Sequence, residues 1–563
     1  MGMSGRDVRR AGLGAIAGLL AAGTALGVGQ FVAGLTGASG SPVVAVGELQ
    51  IDFTPPWLKN FAITEFGADD KLVLVSGILV VLAIFAAVIG AAATRRMAYG
   101  LAGLAVFAVV GLTAAATRPT ATAASLLPTL AATVSAAAVL LVLIPLVTPR
   151  TAAARPAISY DPVTTPAKAR EPEGPRRRSF VTAGVATAGI AAGAGLAGRL
   201  LAERGSVASA QRSVRIPRPA VTTQTLPPGV NLGIGGLAPF VTSNSSFYRV
   251  DTALVLPQVD PSSWQLRIHG MVDREITLTF EELLKRPLIE DYVTLCCVSN
   301  PVGGPYIGNA KWLGASLAAV LKQAGIKAGA DQLMCTSVDG FTSGTPVQTV
   351  MDGRDALLAV AMNGQPLPVA HGFPVRMVVP GLYGYVSATK WVTDINVTTF
   401  AGNYAYWAQR GWSQQAPIKT ECRIDVPTGM NDMSPGQITV AGVAWAQHKG
   451  IDAVEVRVDG GPWHEARLAA VPGLDTWRQW AWDWDAPSGG HVLQARATDK
   501  TGYTQTATMA PPEPDGATGY PQVSVPVRGR LPPGSFGPPR TVTSTTDALF
   551  NVRRADDNSD GEP

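Results

Sequence analysis

Long apolar stretches are almost confined to the part of the chain before residue 203. Uncharged windows of about 20 residues, long enough to cross the hydrocarbon core of a bilayer, follow one another there. Five such windows, rich in Ala, Gly, Val and Leu, cover residues 11–35, 72–94, 97–117, 125–147 and 180–198. The pattern predicts an all-α membrane region over residues 1–203 with about five transmembrane helices.

The pattern changes after the last apolar window. Residues 204–238 are rich in Ser, Pro, Thr and Gly, which predicts a linker that lifts a soluble part off the membrane. Residues 264–270 then alternate between apolar and polar as a half-buried strand does. A short helix is expected to begin at Phe280, with Thr279 as its N-cap.

From about residue 416 the chain alternates over short segments that are typical of strands. These segments are residues 438–443, 454–458, 480–484 and 491–498, and Asp459-Gly460-Gly461 supplies a hairpin turn. Such spacing predicts an all-β immunoglobulin-like sandwich over residues 413–521. Residues 522–563 are rich in Pro, Ser, Thr and charge, which predicts a disordered tail.

Basic residues cluster in three of the segments that flank the apolar windows, and such clusters favour the cytoplasmic side of a membrane. They are Arg6, Arg9 and Arg10, then Arg95 and Arg96, then Arg150, Arg155, Lys168, Arg170 and Arg176 to Arg178. The loop of residues 36–71 carries mainly acidic charge and is expected to face outward. The sequence thus predicts a multi-pass plasma-membrane protein whose large C-terminal region is extracytoplasmic.

Composition excludes several classes of function. The 563 residues are 47% hydrophobic and 15% charged, and the net charge of +4 comes largely from the loops, so no nucleic-acid partner is expected. All five histidines follow residue 268, which excludes bis-histidine haem within the apolar windows. With only four cysteines, no iron–sulfur or haem-attachment pattern is present, and no haem site is predicted.

Cys297 lies in the most distinctive segment, Thr294 to Trp312. A thiolate suits a soft or highly covalent metal centre, although a lone cysteine is usually a small buried hydrophobe. Its neighbour Cys296 faces the opposite way if both lie on a strand. The match Leu295-x-Cys297-x-x-Asn300, with the Gly-rich turn and Ile-Gly-Asn-Ala-Lys-Trp that follow, resembles the molybdenum-binding segment of the sulfite oxidase family. The resemblance implies that Cys297 is a molybdenum ligand and that Cys296 is packing.

A second set of segments strengthens this resemblance and implies how an α+β domain over residues 239–412 binds molybdopterin. The segments are residues 247–251, 362–368, 371–381 and 390–392. By resemblance, Arg376 and Lys390 contact the cofactor phosphate and His371 donates to the pterin. The other residues that the resemblance assigns to cofactor binding are Tyr248, Arg249, Asn300 and, more loosely, Asp339 and Ser387.

The resemblance implies an enzyme that transfers an oxygen atom at molybdenum, acts on a small molecule and exchanges electrons with an external cytochrome or quinone system. It departs from the family where the substrate is recognised. The loop after Asn300 reads Pro-Val-Gly-Gly without the family's arginines, and the family's active-site tyrosine falls on Trp412. Arg249 and Lys449 are the remaining candidates for contact with an anionic substrate.

Several alternatives stay open. A reductase of sulfoxides or of another oxidised small molecule fits the neutral loop, and a non-catalytic membrane-anchored scaffold fits a degraded pocket. The sandwich resembles the dimerisation domain of sulfite oxidases, which implies a possible homodimer. Arg177-Arg178-Ser-Phe-Val resembles a twin-arginine export signal but also fits a plain positive-inside anchor. Pairing between Cys335 and Cys422 is undetermined.

Overall fold

The computed structural model describes residues 5–36, 42–54, 70–118, 121–148, 177–204, 207–429 and 433–528. Its N-terminal part is helical: α1 Gly5–Thr36, α2 Pro42–Phe53, α3 Asp70–Ala93, α4 Met97–Ala116, α5 Leu127–Val147 and α6 Arg177–Arg204. Five stretches are long and apolar enough to cross a membrane: Asp7–Thr36, Val73–Ala93, Met97–Ala116, Ala123–Val147 and Arg178–Leu201. They match the predicted windows closely, so the helices are confirmed as helices of spanning length.

Helix α1 is the centre of the bundle and packs against α3, α5 and α6. Glycines let the backbones approach, as is common where helices meet in a membrane. A Cβ at Gly18 would overlap the carbonyl oxygen of Ala86 on α3, and a Cβ at Gly90 would overlap that of Gly14 on α1. On the other side of α1, a Cβ at Gly198 of α6 would lie 2.6 Å from the backbone of Gln30.

Helix α2 was not predicted, because its 12 residues are too short for a membrane span and stood in a loop expected to face outward. It packs against α3 and α4. A Cβ at Gly47 would lie 2.9 Å from the side chain of Leu254, so α2 also contacts the C-terminal half. The third basic segment up to Arg176, and the acidic residues Glu65 and Asp69, lie outside the described residues.

The predicted linker differs from expectation from residue 207 onward, because it lies against the soluble region and does not lift it away. It forms helix α7, Ala208–Ser213. The backbone N–H of Ala220 donates to the carbonyl of Leu288 at 2.8 Å, and that of Leu232 donates to Oε1 of Gln479 at 2.8 Å. A Pro- and Ser-rich composition does not predict such packing, because the hydrogen-bond partners of this backbone lie in distant parts of the sequence.

A mixed region, residues 239–412, contains two five-stranded sheets and short helices. The first sheet has the order β2-β1-β10-β5-β6 and the second the order β3-β4-β7-β8, with β9 paired to β7. The strands are β1 Gln265–Gly270, β2 Ile276–Thr279, β3 Leu288–Cys296, β4 Ile307–Ser316, β5 Gln332–Ser337, β6 Thr342–Pro346, β7 Leu357–Met362, β8 Gln365–Pro366, β9 Arg376–Val378 and β10 Val392–Thr398. The helices are α8 Phe280–Leu284, α9 Leu317–Ala324, α10 Val347–Met351 and α11 Gly384–Ser387.

The two local predictions in this region are confirmed. Strand β1 alternates buried and exposed positions, with Leu266 and Ile268 in the core. Helix α8 begins after Thr279, whose side chain accepts from the backbone N–H of Glu282 while the Glu282 carboxylate accepts from that of Thr279. This reciprocal capping box fixes the helix start.

A sandwich of two four-stranded antiparallel sheets follows, with the orders β11-β12-β16-β15 and β14-β13-β17-β18. The strands are β11 Glu421–Val426, β12 Gly436–Trp445, β13 Ile451–Val458, β14 His464–Glu465, β15 Arg467–Leu468, β16 Arg478–Ala486, β17 Gly489–Asp499 and β18 Gln522–Val527. Asp459 (φ 51°) and Gly460 (φ 72°) form the predicted turn after β13. The predicted tail begins too early, because β18 pairs with β17 and buries Val525 and Val527. Residues 529–563 lie outside the described part.

The sandwich and the mixed region meet at Thr294, near the end of β3. Its backbone N–H donates to the carbonyl of Asp475 at 2.9 Å, and its carbonyl accepts from the amide of Gln447 at 3.0 Å. Its hydroxyl accepts from the backbone N–H of Trp477 at 2.8 Å. Three sandwich residues therefore hold the strand that leads to Cys297.

Candidate active site

A cleft opens in the mixed region where β3 ends, and it contains about 1000 Å³ of empty space that is partly open to solvent. Seven of the residues predicted from sequence line it: Tyr248, Cys297, Asp339, His371, Arg376, Lys390 and Trp412. The fold therefore gathers residues from separate segments around one cavity.

The two adjacent cysteines face different surroundings, with Cys296 as the last residue of β3 and Cys297 just after it. Cys296 is fully buried in the core, whereas Cys297 lines the cleft. The Sγ atom of Cys297 lies 2.9 Å from the Oγ atom of Ser299. Burial raises the pKa of the Cys297 thiol, and the hydrogen bond from Ser299 opposes that shift. All four cysteines are free, so Cys335 and Cys422 do not pair.

Arg376 and Lys390 give one end of the cleft its positive charge. Arg376 is 5% exposed, and its guanidinium donates to the carbonyls of His371 and Ala388 at 3.2 and 3.3 Å. Burial lowers the pKa of Arg376 to about 10 and that of Lys390 to about 8, the latter against the opposing effect of Asp251. The Lys390 ammonium lies 2.7 Å from Oδ2 of Asp251.

His371 is neutral in this setting, since burial and the nearby Arg376 lower its pKa to about 4. Its Nε2 lies 3.1 Å from the backbone carbonyl of Asn244. A carbonyl only accepts, so Nε2 carries the proton and Nδ1 is left as an acceptor. His371 thus offers the cleft an acceptor in place of the donor that the resemblance implied.

These groups fit a molybdopterin cofactor. The carbonyl contacts of Arg376 leave its buried charge without a carboxylate partner among its described hydrogen bonds, and an anionic phosphate would supply one. Cys297 presents sulfur to the same cavity. The cofactor is a metal carried by an anionic organic group. The cleft offers a soft sulfur ligand for the metal, together with two cations and directional polar groups for the organic part.

The remaining predicted residues on the cleft have clear local roles. Tyr248 is partly buried and stacks on Phe247 with ring centroids 5.2 Å apart, and desolvation raises its pKa. Oδ1 of Asp339 accepts from the backbone N–H of Phe341 at 3.2 Å. The ring of Trp412 packs edge-on against those of Tyr385 and Trp407.

Four predicted residues do not line the cleft. Arg249 is adjacent to it, but its Nε donates to Asp251 at 2.9 Å. The Oδ1 atom of Asn300 accepts from the backbone N–H of Tyr306, and the Ser387 hydroxyl donates to the carbonyls of Leu382 and Tyr383. Lys449 lies in the sandwich, 3.5 Å from Asp499. These contacts hold turns, a helix and the sandwich, and the roles that the resemblance implies for the four residues stay predictions.

Sequence reasoning did not single out Asp251, Ser299, Tyr385 and Trp407, which also line the cleft. Asp251 and Ser299 stand within the segments that carried the resemblance, so a check of polar neighbours would have found them. No local pattern marks Tyr385 or Trp407, because their position depends on how α11 and the segment after β10 return to the end of β3.

Comparison with known proteins identifies the family. Residues 253–407 match the family described as oxidoreductase molybdopterin binding domain. The chain is 31% identical to chicken (Gallus gallus) sulfite oxidase over 325 residues, which cover 48% of this chain and 69% of that protein. It is 30% identical to mitochondrial sulfite oxidase of Mus musculus over 323 residues, and it spans only 58% of that relative's length.

Two further matches have a lower sequence identity or cover less of the chain. An uncharacterised oxidoreductase of Bacillus subtilis (strain 168) is 31% identical over 178 residues, which cover 32% of this chain and 86% of that protein. The sulfane dehydrogenase SoxCD of Paracoccus pantotrophus is 24% identical, with a TM-score of 0.43 over 48% of this chain and 75% of its own. The length and identity of the match to the chicken enzyme show that this chain belongs to the sulfite oxidase family of molybdopterin-dependent oxidoreductases.

Proposed function

We propose that this enzyme is a membrane-anchored molybdenum-cofactor oxidoreductase that transfers an oxygen atom to or from a small molecule. The observation that carries the proposal is the cleft that Cys297, the buried Arg376 and the ion-paired Lys390 line together. A non-catalytic scaffold has no need for an inward-facing thiol together with the buried charge of Arg376, which has no carboxylate among its described hydrogen-bond partners.

The residues have distinct parts in this proposal. Cys297 holds the metal, Arg376 and Lys390 hold the cofactor phosphate, and Nδ1 of His371 accepts a hydrogen bond from the pterin. When bound, the cofactor supplies two-electron oxygen-atom transfer with water as the source or product of the oxygen. The chain itself orients the cofactor and shields the metal ligand from bulk water, since Cys297 is only 9% exposed.

Sulfite is the first candidate substrate, because several curated relatives are named sulfite oxidases. Reduction of a sulfoxide or of another oxidised small molecule is the second. The observation that favours the second is the pairing of Arg249 with Asp251, which turns its guanidinium toward a carboxylate that also binds Lys390. The Pro-Val-Gly-Gly loop after Asn300 adds no positive charge.

Metal analysis of the purified full-length protein tests the proposal. We expect about one molybdenum per chain in the wild type and in the matched variant Cys296→Ser. The variant Cys297→Ser should either lose the metal or keep it without activity. Sulfite-dependent reduction of an electron acceptor would assign the first substrate, and sulfoxide-dependent oxidation of a reduced viologen the second. Absence of molybdenum after expression in a cofactor-competent host would refute the enzyme and favour the scaffold.

The placement of the enzyme is also a proposal. The five apolar helices support anchoring in the plasma membrane, and the basic loops support an extracytoplasmic cleft. Electrons then pass to or from an external cytochrome or quinone system. The two-sheet sandwich, which we assign to the immunoglobulin-like class, is proposed to mediate a homodimer.

A further inference from the structure

Among the aromatic side chains that line the cleft are Phe341, Tyr385, Trp407 and Trp412, whose described ring contacts do not involve Arg376, Lys390 or His371. We call them the aromatic wall. The ring centroids of Trp407 and Trp412 are 6.0 Å apart at an interplanar angle of 71°, and those of Tyr385 and Trp412 are 6.0 Å apart at 62°. Edge-to-face contacts of this kind are favourable and fix the rings with respect to one another.

Hydrogen bonds and ring contacts within the protein hold the aromatic wall in place. The backbone N–H of Trp412 donates to the carbonyl of Trp407 at 3.2 Å, and the Tyr385 hydroxyl donates to the carbonyl of Ser413 at 2.6 Å. Trp407 also packs edge-on against Tyr406, whose ring lies 3.6 Å from the Arg410 guanidinium. A rigid apolar surface binds with little loss of side-chain entropy.

The charges around the cleft disfavour a small dianion at this surface. Among the described lining residues the cationic side chains are Arg376 and Lys390, which the proposed function assigns to the cofactor. The carboxylates of Asp251 and Asp339 also line the cleft. An inorganic oxyanion would lose hydration without gaining the cationic donors that compensate for it.

We propose that the aromatic wall binds the organic substituent of a neutral substrate, specifically a sulfoxide that carries a planar aromatic group. This inference rests on the proposed function and names its substrate class. In the reaction, one sulfoxide takes up two electrons and two protons and gives one sulfide and one water: the S–O bond breaks, the sulfur is reduced, and the oxygen leaves as water. The two electrons come from a reduced external carrier, and solvent supplies the protons.

The test uses the full-length holoenzyme in detergent with reduced methyl viologen and compares methyl phenyl sulfoxide with dimethyl sulfoxide. We expect kcat/KM to favour the phenyl compound by roughly 10-fold to 100-fold, the range that an apolar pocket gives for a few extra carbon atoms. In Trp407→Leu/Trp412→Leu this preference should fall to near one through a higher KM for the phenyl compound. Trp412→Phe should keep most of the preference, and Trp463→Leu in the sandwich is the matched control.

A binding measurement separates this inference from the proposed function. Methyl phenyl sulfone resembles the substrate and is not turned over, so calorimetry reports its affinity whether or not molybdenum chemistry occurs. We expect it to bind the wild type and to bind Trp407→Leu/Trp412→Leu at least 10-fold more weakly. No sulfone binding, an unchanged preference in the double variant, or turnover of sulfite alone would overturn the aromatic-wall assignment. Loss of molybdenum with intact sulfone binding would instead refute the proposed function.

Discussion

Ser299 is the residue that most directly modifies the proposed metal ligand, because its hydroxyl lies 2.9 Å from the Cys297 sulfur. A thiolate only accepts, so the hydroxyl would donate and withdraw charge from the sulfur. Such a bond is worth about 1–3 kcal/mol, so Ser299→Ala should lower the reduction potential of the site by roughly 20–60 mV for a two-electron couple.

Potentiometric titration followed by optical and paramagnetic resonance spectra measures this shift. Ser299→Thr keeps the hydroxyl and should stay near the wild-type potential. A potential that does not move in Ser299→Ala would show that the contact has no influence on the metal.

Glu421 is a second residue with a measurable consequence. It is 4% exposed, its Oε1 has no hydrogen-bond partner among the described residues, and burial raises its pKa from 4.5 to about 8. Between these values the unfolded chain releases a proton that the folded protein keeps, so rising pH reduces stability across this window and no further above it. The isosteric variant Glu421→Gln has no carboxyl group to titrate, so its folding stability should not fall across this pH window.

We therefore expect Glu421→Gln to match the wild type near pH 5 and to exceed its stability by on the order of 3 kcal/mol near pH 8. Thermal unfolding of the detergent-purified protein over this pH range measures the difference. Equal pH dependence in both proteins would mean that Glu421 titrates normally.

The sequence was most reliable for residues that stand in contiguous motifs. Cys297, His371, Arg376 and Lys390 all line one cleft, and the contacts with metal and cofactor that the resemblance implies for them stay predictions. Asn300 and Ser387 stand in or near the same motifs but turn toward backbone groups, which spacing along the chain does not reveal. Whether Arg249 faces a substrate depends on Asp251, whose position is set by tertiary contacts.

At the scale of elements, the crossing of α1 and α3 depends on glycines, which have no side chain to keep the two helices apart. A Cβ at Gly18 would overlap the backbone of Ala86, whereas a Cβ at Gly23 on the same helix meets no atom within 4 Å. Gly18→Val should therefore force the two helices apart and lower the melting temperature and yield of the detergent-purified protein, while Gly23→Val should change them little. Equal behaviour of the two variants would contradict this packing.

Element prediction succeeded where hydrophobic periodicity was long or strict. The five apolar windows and strand β1 are examples, since burial on one face or all faces leaves a regular pattern. It failed for α2, for the segment after residue 207 and for β18. Each of these is short or polar in composition and is held by contacts to distant residues, such as Ala220 to Leu288.

At the scale of the whole molecule, the arginines before α6 test the proposed route across the membrane. If export of a folded, cofactor-loaded domain requires Arg177 and Arg178, replacing both with Lys should leave the soluble region protected from protease added to spheroplasts. The matched change of Arg95 and Arg96 to Lys keeps the same charge count and should leave the region accessible. If the protease reaches the soluble region in both variants, Arg177 and Arg178 act only as ordinary positive-inside residues.

The three contacts at Thr294 have a consequence for the modularity of the enzyme. Gln447, Asp475 and Trp477 come from the sandwich, yet they bind the backbone and the hydroxyl of Thr294, three residues before Cys297. A catalytic fragment cut at the domain boundary would lose these partners and leave the polar groups of a buried strand unpaired. The cleft therefore depends on the sandwich for its geometry. A chimaera with another sandwich should keep its activity only where the replacement offers the same three hydrogen-bond partners to Thr294.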